Sequence, residues 1–329
     1  LRLPELFFHA RRELETFRPH GILCPAYRGF GVPTVALSRR HNCPAALYFH
    51  GTELFSDGRK GLRRVLLGWS LLHAKTLLTN SHNTANLIQD LFPRQPLKPV
   101  VVHPGAVSVA PLPEVPDREQ LRSQWCTMAG YDPCHHNRVT IFLACCRLVL
   151  GKGLQTALEA FHQIPPDRPV IYVIIGDGPY KEPLKGIANR GPRAQNVLFL
   201  GQLPAHQIGA YLLAADAYLQ PSQPDGPFLE SFGISFVEAQ AAGLPCIASE
   251  WGGIPEATIP ETTRLIHPGS ISDAWRGMQW AIHLTAQEKR KIAEHGKAHA
   301  ARFTWQIHAQ LLSKTLGQSW NIPLPSAHV

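Results

Sequence analysis

The chain has 329 residues, of which 44% are hydrophobic and 17% charged, and a formal charge of +8 with a pI near 9.2. That length suits two domains of ordinary size, and the composition excludes a disordered or low-complexity chain. The longest apolar run, Leu66–Leu78, is interrupted by His73 and Lys75 and falls short of the roughly 18 residues that span a bilayer. A soluble, cytoplasmic protein is expected. The basic balance fits phosphorylated substrates or an anionic lipid surface. Nucleic acid is not expected, because no RNA-binding signature and no paired Cys/His zinc spacing occurs.

In chain order, Leu6–Thr16 has helical spacing, and Gly21–Cys24 and Ala45–His50 are short apolar runs that read as strands. The opening LPELFFHARRELETFRPHGIL is a helix entering a strand, an unusual domain start, so missing upstream sequence is expected. Arg59, Lys60, Arg63 and Arg64 lead into a helical pattern over Val65–Leu78. This pattern fits a solvated helix end, and it also fits peripheral contact with the anionic inner surface of a membrane. Leu77–Asn80 reads as a strand, Ser81 as a cap for a helix over His82–Phe92, and Pro99–His103 as another strand. Alternation of this kind predicts a parallel sheet flanked by helices.

Residues 106–138 break the rhythm with Pro111, Pro113, Pro116 and Pro133 and hold one short helix candidate, Asp117–Trp125. The alternation then restarts. Strands are predicted at Val139–Ala144, Val170–Ile175, Val197–Leu200, Ala217–Gln220, Pro245–Ser249 and Arg264–His267. Helices are predicted at Leu154–Gln163, Lys181–Asn189, His206–Ala214, Ile234–Ala242, Asp273–Thr285, Ala286–Arg302 and Trp305–Leu316. The expected division is a partial acceptor-side domain over 1–105, a linker over 106–138, a doubly wound α/β domain over 139–302, and a C-terminal helix and tail over 303–329.

Seven cysteines at 24, 43, 126, 134, 145, 146 and 246 form no regular framework, which points to reduced thiols. Cys145, Cys146 and Cys246 lie in apolar strand-like runs and read as core thiols. Cys126, Cys134, His135 and His136 are a weak metal candidate, lacking the usual close Cys pair.

The chemistry concentrates at strand ends. Arg147 and Lys152 follow the strand Val139–Ala144, with glycines on both sides of Lys152. Two cations there suit a diphosphate, although a solvated strand-to-helix loop would look the same. Glu230 and Glu238 flank a glycine and a helix start in the segment ESFGISFVE. A carboxylate accepts hydrogen bonds from hydroxyls, and the first N–H groups of a helix attract anions. The segment therefore suits the hydroxyls and phosphate of a nucleotide sugar.

The stretches CCRLVLGKGLQTALEAF, VIYVIIGDGPYKEPL, NVLFLGQLPAHQIGAYLLAADAYLQPS and ESFGISFVEAQAAGLPCIASEWGGIPE come in family order. Together they resemble retaining glycosyltransferases of the GT-B fold, family 4. ALYFHGTEL, LLTNSHNTANLI and VVVHPGA resemble the family more loosely. The resemblance implies two Rossmann-like domains facing a cleft, the first incomplete, and transfer of a sugar from a nucleotide-diphosphate sugar to an acceptor hydroxyl. In this scheme Arg147 and Lys152 hold the diphosphate and Glu238 the ribose. Glu230 and the amides of Phe232 and Gly233 hold the transferred sugar, and the Ile234 amide is a further donor at the same helix start. The base lies near Gly176, Gly201 and Leu203, with Ser222 at the neighbouring strand end, and His50 approaches the sugar from the first domain.

No Asp-x-Asp pair occurs, so the two cations and a helix dipole are expected to replace a metal. No cofactor is expected. The family's opening strand and Gly-rich loop are not found before Leu6, so the chain is expected to lack an N-terminal segment. A non-catalytic nucleotide-sugar or phosphate-binding module, or an inactive fragment, remains the alternative. A Rossmann oxidoreductase is disfavoured because no G-x-G-x-x-G follows a strand.

Overall fold

Short apolar runs alternating with amphipathic segments build two separate parallel sheets in the computed structural model, which describes residues 3–58, 60–106, 109, 114–226 and 228–322. Arg59 of the basic cluster, Pro111 and Pro113 of the expected linker, and the end of the expected tail lie outside the described residues. The chain divides into one unit of Leu1–Pro104 with Gln306–Val329 and another of Gly105–Trp305.

In the first unit β1 (Ile22–Cys24), β2 (Ala45–Phe49), β3 (Thr76–Thr79) and β4 (Val100–Val101) pair in parallel in that order. Every residue of β2 and β3 is buried, as expected for strands covered on both faces. Ser81 caps the helix His82–Leu91 by accepting the Thr84 amide at 3.0 Å. The pattern read as helical over Val65–Leu78 resolves into a helix, Gly61–His73, followed by β3. A continuous apolar run does not by itself separate the two. Arg64 of the basic cluster faces inward: its guanidinium donates to the carbonyls of Gly58 and Leu91 and lies 4.8 Å from the Phe92 ring centroid. Leu62 and Val65 on the same helix are exposed.

A helix over Gly31–Arg40 was not anticipated from the sequence. Pro33 sits in its first turn, where the missing N–H costs no intrahelical bond. The C-terminal helix Trp305–Trp320 presses Leu312, Leu316 and Trp320 onto Tyr48, Leu78 and Val102, and the Trp320 indole donates to Thr76 Oγ1 at 3.1 Å.

The second unit carries β5 (Thr140–Cys145), β6 (Val170–Ile175), β7 (Val197–Gly201), β8 (Ala217–Gln220), β9 (Cys246–Ser249) and β10 (Thr263–Ile266). The strands run in parallel in the order β10-β9-β8-β5-β6-β7. Counted from β5, that is the doubly wound order 3-2-1-4-5-6, which reverses direction between its first and fourth strands. Alternate residues feed two cores: Ile141, Leu143, Ile171 and Val173 on one face, and Phe142, Ala144, Tyr172 and Ile174 on the other.

Residues 118–128 form a helix with a capping box made by Asp117 and Gln120, and its Leu121, Trp125 and Cys126 enter the core that holds β5. Arg122 goes further. Its side chain is 2% exposed and donates to Asp216 Oδ2 and the Ala214 carbonyl, both at 2.9 Å, and to the carbonyls of His136 and Val139. Asp216 Oδ2 also accepts the Ile141 amide at 2.9 Å. One buried ion pair thus ties this helix to the start of β5 and the start of β8. Removing the anion strands a buried guanidinium, so Asp216→Ala is expected to lower unfolding stability by about 3–5 kcal/mol. Urea denaturation checks this, and an unchanged midpoint would show that the pair is dispensable.

Candidate functional site

Ligands of doubly wound sheets bind beyond the carboxyl ends of the strands, where the strand order reverses. Here that point lies between β5, which ends at Cys145, and β8, which ends at Gln220. After β5 the chain forms a 3₁₀ turn over Leu150–Lys152 and then Gly153 in the left-handed region, with φ 69°. A Cβ on Gly153 would collide with the Pro221 carbonyl. Glycine therefore lets the loop after β5 rest on the loop after β8. The Gln223 amide donates to the Gly151 carbonyl at 2.8 Å and locks the two loops together.

That contact brings Lys152 to Glu230. Lys152 Nζ donates to Glu230 Oε2 at 2.6 Å, with the two side chains 15% and 12% exposed. Ser222 Oγ donates to the same oxygen at 2.9 Å, and Gln220 Nε2 does so at 3.3 Å. Burial pushes Lys152 toward its neutral form, but the facing Glu230 carboxylate outweighs it and the net shift of the lysine pKa is upward. The Gly-rich turn after β9 secures the carboxylate's own backbone: the Gly253 amide donates to the Glu230 carbonyl at 2.8 Å. A Cβ on Gly252, at φ 62°, would meet that carbonyl. The Phe228 ring lies over Gly151, stacks on Trp251 at 5.9 Å and sits 5.6 Å from Lys152 Nζ. Its neighbour Pro227 lies outside the described residues.

Beside this cluster a cleft of about 710 Å³ is lined by Arg147, Gly176, Leu203 and Glu238, four of the expected site residues. Arg147 is exposed, its carbonyl accepts the Val149 amide at 2.9 Å, and among the described residues its guanidinium makes no hydrogen bond or ion pair. Glu238 is half-buried one turn into the helix Ile234–Ala241, which Gly233 opens in the left-handed region at φ 98°. Phe232 is a core residue, packed 5.4 Å from Phe303, and Ile234 is exposed. Gly201 accepts the Gly176 amide at 2.7 Å and so shapes the cleft from behind. In the first unit, His50 Nε2 donates to the Pro25 carbonyl at 2.7 Å, and the His50 amide donates to buried Glu53 at 2.5 Å.

Two sequence expectations are corrected. Cys145 and Cys146 are not core thiols like Cys246: both are half-buried and line the cleft, because β5 ends at Cys145. Burial pushes each thiol up to about 12, so neither is a nucleophile at neutral pH. The four candidate metal ligands near residue 130 do not converge either. Cys126 is buried in the core, Cys134 is exposed, His135 pairs with Asp132, and His136 Nδ1 donates to the Pro133 carbonyl. The sequence reading also missed Gln202 and Asp177, which line the cleft, and Gln220. The first two stand beside glycines already singled out, whereas Gln220 resembles any strand residue.

Two parallel α/β units, the second doubly wound with cations and carboxylates at its reversal point, give an α/β protein of the GT-B class. The chain matches the family described as "Glycosyl transferases group 1" over residues 135–299, and "Glycosyltransferase Family 4" over residues 1–107. It belongs to the group 1 glycosyl transferases. A GDP-mannose-dependent monoacylated alpha-(1-6)-phosphatidylinositol monomannoside mannosyltransferase of Corynebacterium glutamicum is 34% identical over 184 residues, covering 54% of this chain and 47% of the relative. A D-inositol 3-phosphate glycosyltransferase of Jonesia denitrificans is 27% identical over 235 residues, covering 70% and 53%. The chain spans about half the length of the curated relatives it matches. Anabaena HepE, solved in complex with UDP and glucose, shares the fold with a TM-score of 0.78 at 21% identity, covering 96% of this chain and 80% of that one.

The raised Lys152 pKa sets a pH signature. A group whose folded pKa exceeds its unfolded value gives stability that is whole below the unfolded pKa and fades as pH rises through the folded one. Lys152→Gln is expected to cost about 1–3 kcal/mol from pH 7 to roughly pH 9.5, with the gap to wild type closing above the ordinary lysine value of about 10.4. Thermal melts of both proteins across that range provide the check, and a gap that closes near neutrality would contradict the pairing.

Proposed function

We propose that the chain is part of a retaining glycosyltransferase, moving a sugar from a nucleoside-diphosphate sugar to a hydroxyl of a glycan, lipid or small molecule, without a metal ion. The observation that carries this reading is the Lys152–Glu230–Ser222 cluster beside the cleft that Arg147 and Glu238 line. The proposal divides the donor among these groups. Glu238 takes the ribose hydroxyls, with the base toward Gly176, Gly201 and Leu203. Arg147 and Lys152 take the diphosphate. Glu230, Ser222 and the helix start at Phe232, Gly233 and Ile234 take the transferred sugar. The role of His50 rests on the resemblance of ALYFHGTEL to the family.

Bond breaking between sugar and diphosphate builds negative charge on the leaving phosphate. Fixed cations in a partly dry site stabilise that charge without reorganising water. Because its pKa is raised, Lys152 supplies a full positive charge at every physiological pH. With no Asp-x-Asp pair in the chain, the cations and the helix dipole act in place of a metal clamp. Retention follows if the departing phosphate oxygen accepts the acceptor's proton on the same face. The names of both relatives carry a phosphorylated inositol, and the +8 charge suits an anionic acceptor. Exposed Leu62 and Val65 beside Lys60 and Arg63 support peripheral contact with an anionic bilayer, at its cytoplasmic face.

Calorimetry with UDP- and GDP-sugars, followed by assays of sugar release and transfer, tests the reading. Lys152→Ala is expected to lower turnover by about 10²–10³-fold, the scale of losing one preorganised charge stabiliser. Near-normal turnover in that variant would sink the assignment, and binding without release or transfer would favour a non-catalytic module. Glu238→Gln is expected to weaken a ribose-bearing diphosphate about tenfold while leaving inorganic pyrophosphate unaffected. Equal loss of both ligands would remove Glu238 from the ribose.

A further inference from the structure

Glu230 presents its two carboxylate oxygens unequally. Oε2 accepts from Lys152 at 2.6 Å, Ser222 at 2.9 Å and Gln220 at 3.3 Å, whereas among the described residues Oε1 accepts from none. Gln220 is fully buried, so its amide cannot turn to water for partners. An ionised carboxylate only accepts, so the Gln220 atom facing Oε2 must be the nitrogen. The amide oxygen then needs a donor, and the Tyr218 hydroxyl stands 2.9 Å from it. Tyr218 is fully buried too: its oxygen accepts the Cys145 amide at 3.3 Å, and its single proton has the Gln220 amide oxygen as its nearer acceptor, with the Cys145 carbonyl at 3.1 Å. The chain of contacts therefore starts at the end of β5, crosses β8 and stops at Glu230.

We propose that Gln220 and Tyr218 are positioning residues that fix Glu230, so that Oε2 stays tied to Lys152 and Oε1 stays presented to a hydroxylated sugar. The inference rests on the donor-site reading above and adds to it a pair of residues that touch no substrate. Tyr218 sets the amide orientation of Gln220, and Gln220 together with Ser222 keeps the carboxylate from rotating toward Lys152 with both oxygens. Neither residue is needed for the nucleotide half of the donor. Their loss should therefore be felt by the sugar and by nothing else.

The test is calorimetric binding of UDP-glucose, GDP-mannose, UDP and GDP to wild type, Gln220→Met, Tyr218→Phe, Glu230→Gln and the Gln220→Met/Glu230→Gln double variant. Melting curves first establish which variants fold, and Tyr218→Phe removes a single oxygen should Gln220→Met fail to fold. The expected result is about tenfold weaker binding of the preferred nucleotide sugar in Gln220→Met, with the sugarless nucleotide unchanged. Tyr218→Phe should show a smaller effect of the same kind, and the double variant should be no worse than Glu230→Gln. Equal losses for sugar-bearing and sugarless nucleotides, or additive losses in the double variant, would overturn the inference. So would wild-type affinity for the nucleotide sugar in both Gln220→Met and Tyr218→Phe. A wild-type protein that binds none of the four nucleotides overturns the donor-site reading and the inference with it. Wild-type binding with indifferent variants overturns the inference alone.

Discussion

Two parallel strands, β5 and β8, lie side by side although 71 residues separate the end of one from the start of the other (145 to 217). The candidate site depends on that pairing. Crossover connections leave from these strands toward opposite faces of the sheet, so their carboxyl ends open a crevice that no helix fills. The register Phe142↔Ala217 and Leu143↔Tyr218 sets Cys145 near Tyr218 and puts the loop carrying Lys152 against the loop carrying Ser222. Gly153 makes the final approach possible, since any side chain there would strike the Pro221 carbonyl. The Arg122–Asp216 pair holds the far end, binding the Ile141 amide in β5 and the turn that precedes β8. The strand pair is thus pinned at both ends by polar contacts and along its length by apolar side chains.

Much of this was legible in the sequence where a pattern is local. The run VIYVII over Val170–Ile175 reads as a buried strand because every residue is apolar, and all six are buried. Ser81 reads as a cap because its hydroxyl can reach the third residue on. Gly243, two residues before Pro245, marks the end of the helix Ile234–Ala241 because glycine takes the left-handed conformation, here at φ 81°, without strain. The helix Gly31–Arg40 was illegible because Pro33 and a weak apolar stripe hide its period, and tertiary burial of Val35 and Leu37 decides the matter. The residues that organise the site were illegible for another reason. Arg122 and Asp216 are 94 residues apart and Lys152 and Glu230 are 78 apart. Such pairs exist only once the sheet order is known. Gln220 gave no signal at all, since a glutamine at the end of an apolar strand is ordinarily an exposed terminus.

The glycines after β9 act on the backbone of the loop that carries Glu230. A Gly-rich turn near a helix start suggests an anion cradle. In the structure Gly252 and Gly253 lie against the backbone of Glu230 and Ser231, and the Gly253 amide is already used on the Glu230 carbonyl. The turn fixes the height of the carboxylate above the sheet. Nearby, the Phe228 ring fills the space over Gly151 and flanks Lys152, 5.6 Å from its Nζ. Position in this site is thus set by backbone contacts first and by ion pairing second.

Charge balance then explains why a lysine survives in such a place. A buried ammonium alone would lose its proton or destabilise the fold, and the cost is offset only when a carboxylate with further hydrogen bonds stands opposite. Glu230 meets that condition, with Ser222 and Gln220 sharing its oxygen. The pair is therefore close to neutral before any ligand arrives. An incoming diphosphate would meet Arg147 first, exposed at the cleft and without a carboxylate among the described residues. On the donor reading proposed above, Lys152 keeps its bond to Glu230 and offers its remaining N–H donors to the ligand. Its attraction for the ligand then grows as negative charge builds on the phosphate. A fixed cation of this kind would stabilise the departing phosphate more than the bound donor, and that difference is the part of binding energy that accelerates a reaction.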